Sequence, residues 1–165
     1  MQLVIHINLD RPLSLPINYN HILQAVIYQS LNIMPDYADF LHSGGFTRGQ
    51  RQYKIFQFSQ LTGAYRIENR RITFHSDVSF EVRSPEPLLI HLIGEYIWNY
   101  GVTFGTYTYT DINLELYDYT IEETELLIRM KAPLTVYCTE PESGRTCYFN
   151  PDEPQFYEMI NDNFY

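Results

Sequence analysis

Between Phe40 and Gly63 the chain reads FLHSGGFTRGQRQYKIFQFSQLTG, a span with one histidine, a glycine pair and three cations, Arg48, Arg51 and Lys54. Histidine suits proton transfer near neutral pH because both of its forms are accessible there. The cations that follow are unexpected in a chain whose formal net charge is -9. An apolar lead-in, a Gly-Gly break and a polar loop entering an alternating strand is how a scaffold presents a functional loop. The same span also reads as a helix stop and a turn, with His42 a partner for the helix C-terminus and Lys54 a solvated edge charge.

The elements that must position these residues are legible in outline. QLVIHINL alternates as a first strand, with Leu3, Ile5 and Ile7 on one face and His6 opposite or near the edge. RPLSLP breaks it. NYNHILQAVIYQSLN places Ile22, Leu23, Val26, Ile27, Ser30 and Leu31 at helical spacing, with Asn18 or Asn20 as the N-cap and Tyr28 near the end. PDYADFLHSGG predicts a short second helix opened by Pro35 and Asp36 and closed by Gly44 or Gly45, so that His42 lies in its last turn. YKIFQFSQL alternates as a strand, GAYRIENRRITFHS as a hairpin turning at Asn69, and SFEVRS as a further strand. PEPLLIHLIGEYIWNYG predicts a long helix. VTFGTYTYTDINLELYDYT, ETELLIRMKA and LTVYC read as antiparallel strands, followed by a hairpin through Ser143 and Gly144 and a terminal helix in DEPQFYEMINDNFY.

This order predicts an α+β, ferredoxin-like (RRM-like) sandwich: an antiparallel sheet with two helices on one face, plus extra β-hairpins and a C-terminal helix. Residues 1–150 are expected to form that domain. The chain has 165 residues, room for one main core. Its 15 Tyr and 10 Phe favour sheet.

The net charge argues against a nonspecific nucleic-acid binder, but its distribution is uneven. Residues 1–84 carry eight Lys/Arg against six Asp/Glu, whereas residues 85–165 carry three against fourteen. Arg48, Arg51, Lys54, Arg66, Arg70, Arg71 and Arg83 account for seven of the eleven cations. A local basic patch coexists with an acidic whole, unless these charges simply solvate one face. The N-terminus lacks a signal pattern and no apolar run is long enough to span a bilayer, so a cytoplasmic protein with no membrane contact is expected. Cys138 and Cys147 are expected on opposing arms of a hairpin, as thiols rather than a disulfide or a zinc site.

LPINYNHILQAVIYQSL, FLHSGGF and YKIFQFSQLTG, in that order and at these separations, resemble the N-terminal half of the CRISPR repeat-cleaving endoribonucleases of the RAMP superfamily. APLTVYCTEPESGRTCYFNPDEPQFYEMINDNF resembles that family's passage from its first to its second ferredoxin-like domain, so residues 151–165 would be a terminal helix leading toward a second domain absent from this chain. The family's glycine-rich loop near the C-terminus has no counterpart here.

The resemblance implies metal-independent cleavage of CRISPR repeat RNA to mature guide RNAs, with no cofactor. The 2′-hydroxyl attacks the scissile phosphate, leaving a cyclic phosphate and a 5′-hydroxyl. By motif match His42 is the candidate general acid or base, Tyr28 its orienting or proton-transferring partner, and Lys54 the charge stabiliser. Arg48 and Arg51 would hold the RNA backbone. CRISPR repeat RNA is the implied partner, with effector-complex subunits and a second copy of the chain as further candidates. The alternatives are a noncatalytic RNA-binding or scaffold subunit of a CRISPR ribonucleoprotein, and an unrelated ferredoxin-like interaction domain.

Overall fold

The computed structural model describes residues 1–48, 51–53, 55–120, 122, 124, 125, 127, 134–140 and 142–164. The chain divides into two compact units, Met1–Thr120 and Ile121–Tyr165.

In the first unit β1 (Gln2–Ile7) buries Leu3, Ile5 and Ile7, as its alternation predicts. β2 (Leu13–Pro16) follows, then α1 (Asn20–Ser30), a short 3-10 turn at Leu31–Ile33 and α2 (Pro35–Ser43). The hairpin β3 (Phe46–Arg48) and β4 (Arg51–Tyr53) precedes β5 (Gln57–Phe58). A second hairpin, β6 (Tyr65–Glu68) and β7 (Arg71–Phe74), leads to β8 (Val78–Arg83) and to α3 (Pro87–Tyr100). β9 (Val102–Phe104), β10 (Tyr107–Tyr109) and β11 (Ile112–Tyr117) complete the unit.

The main sheet runs β11-β1-β8-β5, all antiparallel. With α1 between β1 and β5 and α3 between β8 and β11, this is the ferredoxin-like order in which the first strand is central. Leu3, Ile5 and Ile7 pair across the sheet with Val82, Phe80 and Val78, which are also buried. Leu23 and Ile27 of α1 and Leu89, Ile90, Ile93 and Ile97 of α3 belong to the same core. A smaller sheet, β2-β7-β6, extends that core through Leu13, Leu15, Ile72 and Phe74.

Three local expectations are corrected. α1 is capped at Tyr19, without a side-chain cap bond, rather than at Asn18 or Asn20. Tyr19 is instead buried and its hydroxyl accepts the Leu61 N–H at 3.0 Å, so tertiary packing sets that helix start. RPLSLP contributes a strand as well as a break, because β2 pairs with β7 along Leu13–Pro16, with Pro16 on an edge strand where its missing N–H is tolerated. In YKIFQFSQL, Tyr53 ends β4, Lys54 lies outside the described residues, and from Ile55 to Leu61 only Gln57–Phe58 form ladder. Around it Ser84 Oγ donates to the Ile55 carbonyl at 2.6 Å and Ser59 Oγ accepts the Glu81 N–H at 3.0 Å, side-chain bonds that replace regular pairing.

In the second unit β12 (Val136–Thr139) pairs antiparallel with β13 (Thr146–Phe149), followed by α4 (Pro154–Phe164). Cys138 and Cys147 are direct cross-strand partners and both are free thiols. Burial and the Glu140 carboxylate, 3.7 Å from Cys147 Sγ, push the Cys147 thiol up. The strand expected over ETELLIRMKA lies mostly outside the described residues.

Gly101 ends α3 at φ +75, and a Cβ there would sit 2.2 Å from the Tyr109 carbonyl oxygen. Gly101→Ala is expected to destabilise the protein by about 2–4 kcal/mol, read as a lower denaturation midpoint. Burial raises the Tyr19 phenol above its usual 10.0. A raised pKa contributes stability that is complete below about pH 10 and lost as pH climbs through the shifted value. Alkaline titration should therefore unfold the protein steeply, and Tyr19→Phe should flatten that limb while lowering neutral-pH stability by about 1 kcal/mol for the lost hydrogen bond.

Candidate functional site

The buried stripe of α1, Leu23, Val26, Ile27 and Ser30, turns Tyr28 to the margin of the core, where it is half-buried. Ser30 Oγ donates back to the Val26 carbonyl at 2.8 Å, which satisfies a buried hydroxyl at the end of the helix. The chain then passes through the 3-10 turn into α2, opened by Pro35 with Asp36 in its first turn. Both choices suit a helix start, because proline lacks the N–H that would go unused and a carboxylate complements the positive helix end.

Leu41 is fully buried and fastens α2 to the core, while the next residue, His42, is exposed in the last turn. The Gly44 and Gly45 N–H groups both donate to the Phe40 carbonyl, the latter at 2.8 Å. Gly45, at φ +64, supplies the left-handed step that ends the helix. The chain thereby reverses into β3, and Phe46 packs edge-on against Phe40 with ring centroids 5.2 Å apart.

This path brings Tyr28 and His42 together. Their ring centroids lie 6.2 Å apart at 71°, although fourteen residues separate them in sequence. Phe56 closes the other side of Tyr28, edge-on at 5.9 Å. Sequence reasoning did not assign Phe56 to the site; its place in the alternating YKIFQFSQL run was the only signal. The site therefore presents an exposed imidazole beside a phenol whose ring is packed on two sides.

Arg48 and Arg51 are directly opposite one another at the end of the β3–β4 hairpin, and this hairpin follows α2 without a further element between them. Lys54 lies outside the described residues. Of the other histidines, His6 projects from the open face of the main sheet with Nε2 3.4 Å from Glu115 Oε1. Glu115 also accepts the Tyr117 hydroxyl at 2.5 Å, which raises the Tyr117 phenol. His21 Nδ1 is 2.9 Å from the Asn18 carbonyl, and His75 and His91 are exposed. Among the described residues no three His, Cys, Asp or Glu side chains gather in a way that could hold a metal ion, and no helix is long and apolar enough to cross a membrane.

Comparison with known proteins bears on this arrangement. Residues 115–165 match the family described as CRISPR associated protein Cas6, C-terminal. No curated protein matches the sequence significantly. Among solved structures, a CRISPR associated protein Cas6 is similar at 19% identity and a TM-score of 0.57, over 99% of this chain and 67% of that one. A Cas6-related protein from Pyrococcus furiosus is similar at 20% identity and a TM-score of 0.62, over 98% and 67%. A RAMP protein described as binding different RNA substrates is similar at 22% identity and a TM-score of 0.61, over 98% and 67%.

The fold is thus the ferredoxin-like fold of RAMP proteins. The family match covers residues 115–165, and over nearly its whole length the chain shares its fold with Cas6 and RAMP structures.

The ring packing at Tyr28 separates two contributions. Tyr28→Phe keeps both edge contacts and is expected to hold stability within about 1 kcal/mol, whereas Tyr28→Ala leaves a gap between His42 and Phe56 and costs about 2 kcal/mol. Urea denaturation of the two variants measures the difference.

Proposed function

We propose that this chain processes CRISPR repeat RNA as a metal-independent endoribonuclease, with His42 as the proton-transferring group. The observation that carries the proposal is the approach of Tyr28 to His42 at the exposed end of α2, in a fold shared with Cas6 and RAMP structures. An exposed imidazole beside an ordered phenol can reach a polymer lying on the surface.

In the proposed step the 2′-hydroxyl loses its proton as its oxygen bonds to phosphorus. The bond from phosphorus to the 5′-oxygen breaks, and that oxygen takes up a proton. The products are a 2′,3′-cyclic phosphate and a 5′-hydroxyl, so no water is consumed. His42 serves one of the two proton transfers, acting as base toward the nucleophile or acid toward the leaving oxygen. Tyr28 positions the imidazole, and Lys54 offsets charge on the phosphorane.

The pairing of Arg48 with Arg51 supports an anionic substrate. Register sets the two arginines at directly opposed strand positions, and an RNA backbone laid across the hairpin end would meet both of those positions. The match of residues 115–165 to a C-terminal family supports reading residues 151–165 as the lead-in to a second ferredoxin-like domain.

The test is incubation with a labelled repeat RNA in EDTA and mapping of product ends. A single cut leaving a cyclic phosphate is expected, and His42→Ala should slow it at least about 100-fold, the usual contribution of a positioned acid or base, with RNA affinity little changed. Cleavage that survives His42→Ala removes the imidazole from the chemistry. Binding without any cleavage favours a noncatalytic RNA-binding or scaffold subunit. Lys54→Ala is expected to lower rate and affinity together, because one ammonium would contact the phosphate in both the ground and transition states.

A further inference from the structure

The β6–β7 hairpin turns through Asn69 and Arg70, whose φ angles are +50 and +59. Two-residue loops with positive φ at both positions favour asparagine followed by glycine. Asn69 meets the first preference. Arg70 occupies the position where glycine is the least strained residue, and a long side chain there carries a conformational penalty that glycine would not. The turn is nevertheless well held, since the Ile17 N–H donates to the Arg70 carbonyl at 3.1 Å. A cation kept at a penalised tip calls for a reason outside the backbone.

The flanking residues suggest that reason. Register places Arg66, Glu68, Arg71 and Thr73 on one face of the hairpin and Tyr65, Ile67, Ile72 and Phe74 on the other. Arg71 is anchored, donating to Ser14 Oγ at 3.0 Å and to the Ser14 carbonyl at 2.7 Å. Arg66 is 75% exposed and only loosely paired, 3.7 Å from an equally open Glu68. On the opposite face the hairpin overhangs the core, leaving Tyr65 59% and Ile67 49% exposed. Phe74 holds the Tyr65 ring edge-on at 5.8 Å, so the ring is oriented while remaining open.

We propose that this hairpin is a contact site for single-stranded RNA, with the Arg70 guanidinium at the tip on a backbone phosphate and the Tyr65 ring offered to a base. A cation on the backbone and an exposed ring open to a base are what sequence-tolerant single-strand binding uses. An acidic protein segment would answer the charge but gives no reason for the presented ring. The proposal rests on the reading that this chain takes RNA, and it adds a second contact to the one at the β3–β4 hairpin.

Arg70→Gly tests it, because structure and binding should move in opposite directions. Thermal stability should hold or rise as the backbone penalty is relieved. Affinity for a labelled single-stranded oligouridine, titrated at low salt against the whole chain, should fall several-fold. The slope of log affinity against log salt should shrink by about 0.7, the value for one phosphate contact on a single strand. Tyr65→Ala should weaken binding with the slope unchanged. An Arg70→Gly chain with wild-type affinity and slope overturns the proposal and leaves the hairpin to a protein partner. A wild-type chain with no affinity for the oligouridine overturns both this proposal and the RNA reading. Binding without cleavage removes only the endoribonuclease reading, and the hairpin is then judged on Arg70→Gly alone.

Discussion

The register of β1 is the constraint on which the larger unit depends. It is hydrogen-bonded on both sides, to β8 and to β11, over Gln2–Ile7. A slip of one residue would turn Leu3, Ile5 and Ile7 to the open face and drive Val4 and His6 inward. That exchange would place an imidazole in an apolar core and separate it from Glu115, which stays on the open face of β11. The amino terminus reinforces the register, because the Met1 ammonium donates to the Ser84 carbonyl at 2.8 Å and the Ser84 N–H returns a bond to the Met1 carbonyl at 3.1 Å. With the sheet so fixed, α1 can bury Leu23 and Ile27 in only one rotation, and that rotation sets where the Tyr28 ring emerges.

How much of this was legible in the sequence follows from which forces set each element. β1, α1, α2, α3 and the β6–β7 turn at Asn69 follow from periodicity and from Pro and Gly signals, and the structure has all of them. These are the places where local preference and tertiary packing agree. The misses fall where they compete. A helix start at Tyr19 is invisible to capping rules because its reason is a hydroxyl bonded to Leu61, 42 positions away. The shortened β5 follows from serine side chains that take over ladder bonds, which alternation cannot reveal. β2 hides behind Pro12 and Pro16, and the place of Pro16 on an edge strand is a fact of topology.

The candidate site divides along the same line. That His42 falls in the last turn of α2 is a local matter, and the sequence is sufficient for it. That the imidazole meets Tyr28 depends on the 3-10 turn between two helices, and only family likeness brought the pair forward in advance. The third ring, Phe56, belongs to the segment where strand regularity fails, so alternation pointed to a sheet position rather than to a wall of the site.

The chain's acidity is compatible with an anionic substrate for a reason of range. At physiological ionic strength exposed charges are screened over roughly 8 Å, so a phosphate at one hairpin responds to nearby guanidiniums far more than to distant carboxylates. Arg48, Arg51, Arg66, Arg70 and Arg71 are concentrated on two hairpins within the first 84 residues, where cations outnumber carboxylates. The fourteen carboxylates downstream contribute a diffuse field that slows approach and discourages nonspecific adhesion. Affinity built this way is local and depends on each arginine being in place. A net charge of -9 therefore disfavours indiscriminate binding to nucleic acid and is compatible with the local contacts proposed at the hairpins.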